Sequence, residues 1–180
     1  PDGSVDLIYL DPPFNSNATY NVLFKEKSGE QSAAQITAFD DTWHWGTESE
    51  FAYTEIIRFS PHEKLRALVQ AFRMFLGQND MMAYLTMMAQ RLTELHRVLK
   101  PTGSIYLHCD PTASHYLKLL MDAVFGVKNF KNEITWKRTH SHGDSRRRFA
   151  VIGDTLLFYS KTNEQVFNRQ YLPYSEDYID

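Results

Sequence analysis

Residues Val5–Phe14, VDLIYLDPPF, decide how the rest of the chain is read. Val5, Leu7, Ile8, Tyr9 and Leu10 form a β-branched and aromatic run of the kind expected of a strand buried on both faces. Asp11 follows at once, then Pro12 and Pro13, then Phe14. Two residues without a backbone N–H cannot extend a ladder, so the chain must leave the sheet there along a stiff, extended path. Asp and Pro are ordinary turn residues, and Phe14 could simply fold back on a core. Whether this tetrapeptide is only a strand terminator or a site depends on what else the fold brings to that end of the strand.

The chain has 180 residues, enough for one domain with a substantial core, and its 43% apolar and 23% charged content is that of an ordinary globular protein. It contains no apolar run of about eighteen residues, and it opens on Pro-Asp-Gly-Ser rather than on a charged and then apolar leader. Neither a membrane nor a secretory assignment has support, and the single Cys109 fits a reducing cytoplasm. The net charge of −3 means that any contact with nucleic acid must come from a local basic patch. A start at Pro1 without Met, and an end at Asp180 inside the aromatic and acidic YLPYSEDYID, read as a segment of a longer protein.

Past Phe14 lies NSNATYN, and residues 15–59 as a whole read as an aromatic loop or lid. They carry Tyr20, Phe24, Phe39, Trp43, Trp45, Phe51 and Tyr53 without clear periodicity. Ser60-Pro61-His62-Glu63 has the form of a capping box with Pro61 at the first helical position. Leu65, Leu68, Val69, Phe72 and Phe75 follow at helical spacing up to Gly77. Asn79 can cap a second helix bearing Met82, Leu85, Met88, Leu92, Leu95 and Leu99, which Pro101 stops. SIYLHC (104–109) reads as a strand with Ile105 and Leu107 on one face. Asp110-Pro111 opens a third helix through Tyr116, Leu119, Leu120, Val124 and Phe125 to Gly126. NEITW (132–136) and TLLFY (155–159) are two further strands. Strands alternating with helices imply a parallel sheet with crossovers, and the last two strands, with no helix between them, imply an antiparallel pair at an edge. In such a sheet ligands bind at the carboxyl ends of the strands. That rim would gather Asp11–Phe14, His108–Asp110 and Trp136–Arg138.

DLIYLDPPFNS, LKPTGSIYLHCD, HYLKLLMDAVFG, NEITWKR and DTLLFYSK, in that order, resemble the amino-methylating DNA methyltransferases, and the permuted branch of that family most. The resemblance covers nearly the whole chain. It implies an α/β, Rossmann-like S-adenosylmethionine-dependent methyltransferase sheet with helices on both faces, here an incomplete portion. It also implies transfer of a methyl group from S-adenosylmethionine to an exocyclic amino group of a base flipped out of double-stranded DNA. Asp11, Pro12, Pro13 and Phe14 become the catalytic residues.

The chemistry gives that motif a reason. An adenine amino nitrogen shares its lone pair with the ring and is a poor nucleophile. A carboxylate at Asp11 and a backbone carbonyl at Pro12 can each accept one N–H, turning the lone pair toward the methyl donor and stabilising developing positive charge. Phe14 offers a stacking face for an extruded base. Within the family an Asp at the first position goes mainly with adenine N6 and Ser more often with cytosine N4. Phe in place of Tyr is an accepted variant.

Lys137–Arg148 (KRTHSHGDSRRR) holds five basic residues, two His and one acid. The basic loop 137–153 supplies Lys137, Arg138, Arg146, Arg147 and Arg148 as candidate phosphate contacts, with a plain solvated loop as the competing reading. His108, Cys109, Asp110 and His115 make a weak metal site, since there is no CxxC and no HExxH, and Asp110 serves more simply as a helix cap. The chain departs from the family in having no G-x-G among its eight glycines. The cofactor loop and most of the target-recognition region are therefore expected beyond Asp180, with the cofactor-binding residues unassigned except that Asp11 borders the methyl donor. Three alternatives stay open: a cytosine-N4 enzyme, an RNA amino-methyltransferase, and a non-catalytic DNA-binding or assembly module; Asp11 argues against a protein-methylating version, for which Asn is the usual first residue of the motif. A restriction-modification partner and self-association complete the expectations.

Overall fold

Asn79 starts the helix around which the core is built: its side chain accepts the Met82 N–H at 2.9 Å, satisfying one of the donors a helix start leaves orphaned. Met82, Leu85, Met88, Ala89 and Leu92 then recur on one side and are fully or almost fully buried. At the far end Lys161 Nζ donates to the carbonyls of Leu99 at 2.6 Å and Arg97 at 3.5 Å, so a cation closes the negative end of the helix.

This computed structural model describes residues 1–12, 18–22, 36–41, 43–137, 149 and 152–171. In chain order the elements are β1 (Val5–Leu10), β2 (Ala18–Val22), β3 (Ile36–Asp41), α1 (Thr47–Phe59), α2 (Glu63–Leu76), α3 (Asp80–Val98), β4 (Leu99–Cys109), α4 (Ser114–Phe125), β5 (Phe130–Lys137) and β6 (Gly153–Ser160). The main sheet has the order β1-β4-β6-β5, and β2 and β3 form a separate antiparallel pair. β1 and β4 run parallel, β6 is antiparallel to both of its neighbours, and β5 forms the edge, as the missing helix between the last two strands implied. Among the described residues no helix is long and apolar enough to cross a membrane.

The register divides the sheet into two unlike faces. Ile8, Ile105 and Tyr159 are aligned, as are Leu10, Leu107 and Leu157, and these rows pack with all four helices into one apolar cluster. The Tyr159 hydroxyl donates to Asp122 Oδ1 at 2.7 Å, tying β6 to α4 inside that cluster. Leu7, Tyr9, Tyr106 and Phe158 point the other way, with Tyr106 and Phe158 stacked at 4.4 Å between ring centroids.

Four expectations need correction. β1 is not buried on both faces: it is a sheet edge in this chain, and Leu7 and Tyr9 are 61% and 57% exposed. The α/β architecture is present, but the helices lie on one face of the sheet among the described residues rather than on both. Residues 15–59 contain β2, β3 and α1 rather than loop throughout. Ser60 does not cap α2. It ends α1, its N–H bonding to the Ile56 carbonyl, and its hydroxyl accepts the His62 N–H at 3.3 Å, so α2 begins two residues later than the capping box implied.

The burial pattern separates core from surface within this apolar set. Leu92→Ala empties a fully buried position and should cost about 2–5 kcal/mol. Phe75→Ala removes a ring that is 76% exposed and should stay within about 0.5 kcal/mol. Urea denaturation followed by far-ultraviolet circular dichroism measures both, and equal losses would place Phe75 in the core.

Candidate active site

Leu10 pairs with Leu107 across the parallel β1–β4 ladder, both on the helix side. The next residue of each strand, Asp11 and His108, therefore turns to the opposite face at the same height. β6 enters the sheet at this end, and Asp154, its second residue, meets them there. The pairs Trp136–Asp154 and Lys137–Gly153 put the end of β5 on the same rim. The three segments expected to converge do converge: Asp11-Pro12, His108–Asp110 and Trp136-Lys137 share one end of the sheet.

Asp11 is 57% exposed and its Oδ1 lies 3.5 Å from Nδ1 of His108. The Tyr9 hydroxyl lies 3.3 Å from the same ring nitrogen. On the other side of the ring, Nε2 lies 3.2 Å from Oδ2 of Asp154, which is only 4% exposed. Pro12 is buried, so the backbone is anchored directly behind the exposed carboxylate. Three spacings of about 4.8 Å, roughly 14 Å in all, separate the outer strands, and Lys137 lies further along still, beyond the row that joins Leu10, Leu107, Leu157 and Glu133. Lys137 is exposed. Pro13, Phe14, Arg138, Arg146, Arg147 and Arg148 lie outside the described residues.

Asp110 and Cys109 take structural parts. Asp110 Oδ1 accepts the Ala113 N–H at 3.1 Å and supports the turn into α4. Cys109 is buried on the helix side, and its thiol donates to the Thr155 carbonyl at 3.4 Å. Burial, with Asp110 nearby, pushes that thiol up to about 12. Among the described residues no group of three His, Cys, Asp or Glu side chains is arranged to hold a metal ion.

Sequence reasoning brought His108 to the rim without giving it a partner, and it missed Asp154 and Tyr9. The signal for Asp154 was the antiparallel last strand: where parallel strands end, an antiparallel strand begins, so its first residues belong to the same rim.

The match to the N6_N4_Mtase family, described as DNA methylase, runs from residue 5 to residue 179, and the chain belongs to that family. It is 26% identical over 176 residues to the Mod subunit of the type III restriction-modification enzyme StyLTI of Salmonella typhimurium, covering 98% of this chain and 23% of that protein. It is 36% identical over 87 residues to the type II methyltransferase M.EcaI of Enterobacter cloacae, covering 48% of this chain and 19% of that one. The chain thus spans less than a quarter of the length of these relatives. A crystal structure of the M1.HpyAVI–SAM complex aligns with a TM-score of 0.39 at 18% identity, over 49% of this chain and 46% of that one.

The protonated, enclosed thiol makes a direct prediction. Native Cys109 should resist iodoacetamide at about pH 8 and react fully once the chain is unfolded in urea. Mass spectrometry of both samples checks this, and rapid labelling of the native protein would put the thiol in contact with solvent.

Proposed function

We propose that this chain carries the catalytic corner of a DNA methyltransferase that methylates the exocyclic N6 amino group of an adenine flipped out of double-stranded DNA, with S-adenosylmethionine as methyl donor. The observation that carries the reading is the Asp11 carboxylate, exposed beside a buried Pro12 where β1 leaves the sheet, within the segment that matches the DNA methylase family. When bound, the cofactor supplies an electrophilic methyl group on a sulfonium. Asp11 accepts one amino N–H and the Pro12 carbonyl the other, so the nitrogen lone pair is held in line and the positive charge growing on nitrogen meets a carboxylate. Pro13 keeps the carbonyl of Pro12 in place, and Phe14 stacks on the flipped base.

Lys137, Arg138, Arg146, Arg147 and Arg148 hold phosphates of the same DNA. Lys137, exposed at the opposite edge of the rim, suits a contact with backbone rather than with the reacting base. The whole protein acts as a methylating subunit of a restriction-modification system, a reading supported by the Mod subunit among its relatives. Exposed Leu7 and Tyr9 on edge strand β1 favour self-association of the isolated chain.

The described residues fit the reacting end of the cofactor but not its adenosine. Among the described residues the glycines with positive φ are Gly3, Gly77 and Gly126, in the turn before β1 and at the ends of α2 and α4. None stands at the carboxyl end of a strand, where a tight turn cradles a nucleotide. This favours, as a second reading, an assembly or DNA-binding module for residues 1–180 taken alone.

Two measurements test the proposal. In the full-length enzyme Asp11→Ala should lower labelled methyl transfer by at least about 10²-fold while DNA affinity holds, because the carboxylate acts on the reacting nitrogen. A variant with wild-type turnover would remove Asp11 from the mechanism. Calorimetric titration of residues 1–180 with S-adenosylmethionine should give binding too weak to fit. Micromolar binding by a monomer would mean that residues on this chain build the adenosine pocket after all.

A further inference from the structure

Side chains from two neighbouring strands converge on the imidazole of His108. From β1, the Tyr9 hydroxyl and Asp11 Oδ1 face Nδ1 at 3.3 and 3.5 Å; from β6, Asp154 Oδ2 faces Nε2 at 3.2 Å. Exposure rises along the line, from 4% at Asp154 through 14% at His108 to 57% at Asp11. A carboxylate as enclosed as Asp154 is costly unless a donor meets it, and the Nε2–H of His108 is within reach. That bond fixes the rotation of the ring with Nδ1 directed at β1, and the ring meets both carboxylates only with a proton on each nitrogen, Nε2–H donating to Asp154 and Nδ1–H pointing at Asp11.

The geometry points to Asp154 and His108 as positioning residues for Asp11: the buried carboxylate holds the ring, and the ring holds Oδ1 of Asp11, turning the other oxygen to the substrate amino group. The inference rests on the proposed role of Asp11. It answers a need of that role. Asp11 leaves the sheet more than half exposed, and a freely rotating carboxylate would accept the amino N–H in many orientations, of which few align the lone pair. Pro12 restrains only the backbone. The Tyr9 hydroxyl, 3.3 Å from the same Nδ1, gives the ring a second tie to β1 on the face away from the helices.

The full-length enzyme, assayed by transfer of labelled methyl to DNA, tests the relay. His108→Ala should lower kcat about ten- to hundredfold with KM for DNA and the melting temperature nearly unchanged. Asp154→Asn should give a similar loss, and the double variant should be no slower than His108→Ala, because each residue acts through the other. His108→Asn places an amide nitrogen near the position of Nδ1 and should be faster than His108→Ala. Full kcat in His108→Ala, losses that multiply in the double variant, or a change in KM alone would each overturn the relay. If Asp154→Asn melts below the assay temperature, the two His108 variants decide, and equal rates count against the relay. Asp11→Ala, which removes the acceptor, separates the two roles. If it remains active, the role of Asp11 itself is wrong; if it is inactive beside a fully active His108→Ala, only the relay is wrong.

Discussion

The parallel pairing of β1 with β4 is the constraint on which the site depends. Leu10 opposite Leu107 puts both side chains among the helices, and the following Asp11 and His108 are thereby sent to the other face side by side. A shift of one residue would drive Asp11 into the apolar cluster and push Leu10 into solvent. The core therefore sets the position of the carboxylate although no core residue touches it. Leu107 and Leu157 are almost wholly buried at this height, and β6, paired to β4 in fixed register, brings in Asp154. Apolar burial specifies the register, and the register aligns the polar groups.

The two faces of the sheet divide the work. One takes all four helices and the fully buried side chains; the other bears Tyr9, Tyr106 and Phe158, with the Asp11–His108–Asp154 line at its rim. Phe158 and Asp154 are both buried on this face, which lowers the local dielectric response around the inner end of that line. Hydrogen bonds made there are worth more than the same bonds in water, and an unmet group costs more. At the outer end Asp11 remains open, as a group that must meet an incoming partner has to be.

How much of this was legible from the residues follows from which physical signal each part leaves. α3 was legible because a capping Asn, helical spacing of large apolar side chains and a Pro just beyond its end all agree. α1 was not: its start at Gly46 has no side-chain cap, it buries only Ile56, and Phe51 and Phe59 face solvent, so its aromatic residues do not trace one stripe. The capping box at Ser60 failed because the same hydroxyl can instead accept the N–H two residues on, closing α1 rather than opening α2. β1 misled in a different way, since a run of β-branched and aromatic residues states that a strand forms without stating how many of its faces this chain covers. Asp11 and the convergence of three strand ends were readable from motif and topology. Asp154 was not, because its part depends on an antiparallel register that sequence spacing does not encode.

Charge is laid out along the rim in an order that suits the proposed substrate. Asp11, Asp110 and Asp154 occupy the ends of β1 and β4 and the start of β6, while Lys137 and the basic run after it follow β5. A phosphate backbone is repelled by the first group and drawn to the second, so DNA lying along the rim would keep its phosphates toward β5. Only a group lacking negative charge could then approach Asp11 closely, and an exocyclic amino group extruded from the stack is such a group. The spacing is compatible with this division: roughly 14 Å between outer strands exceeds the Debye length of about 8 Å at physiological salt, so Lys137 does not neutralise Asp11 directly. Its local electrostatics are left to the imidazole beside it.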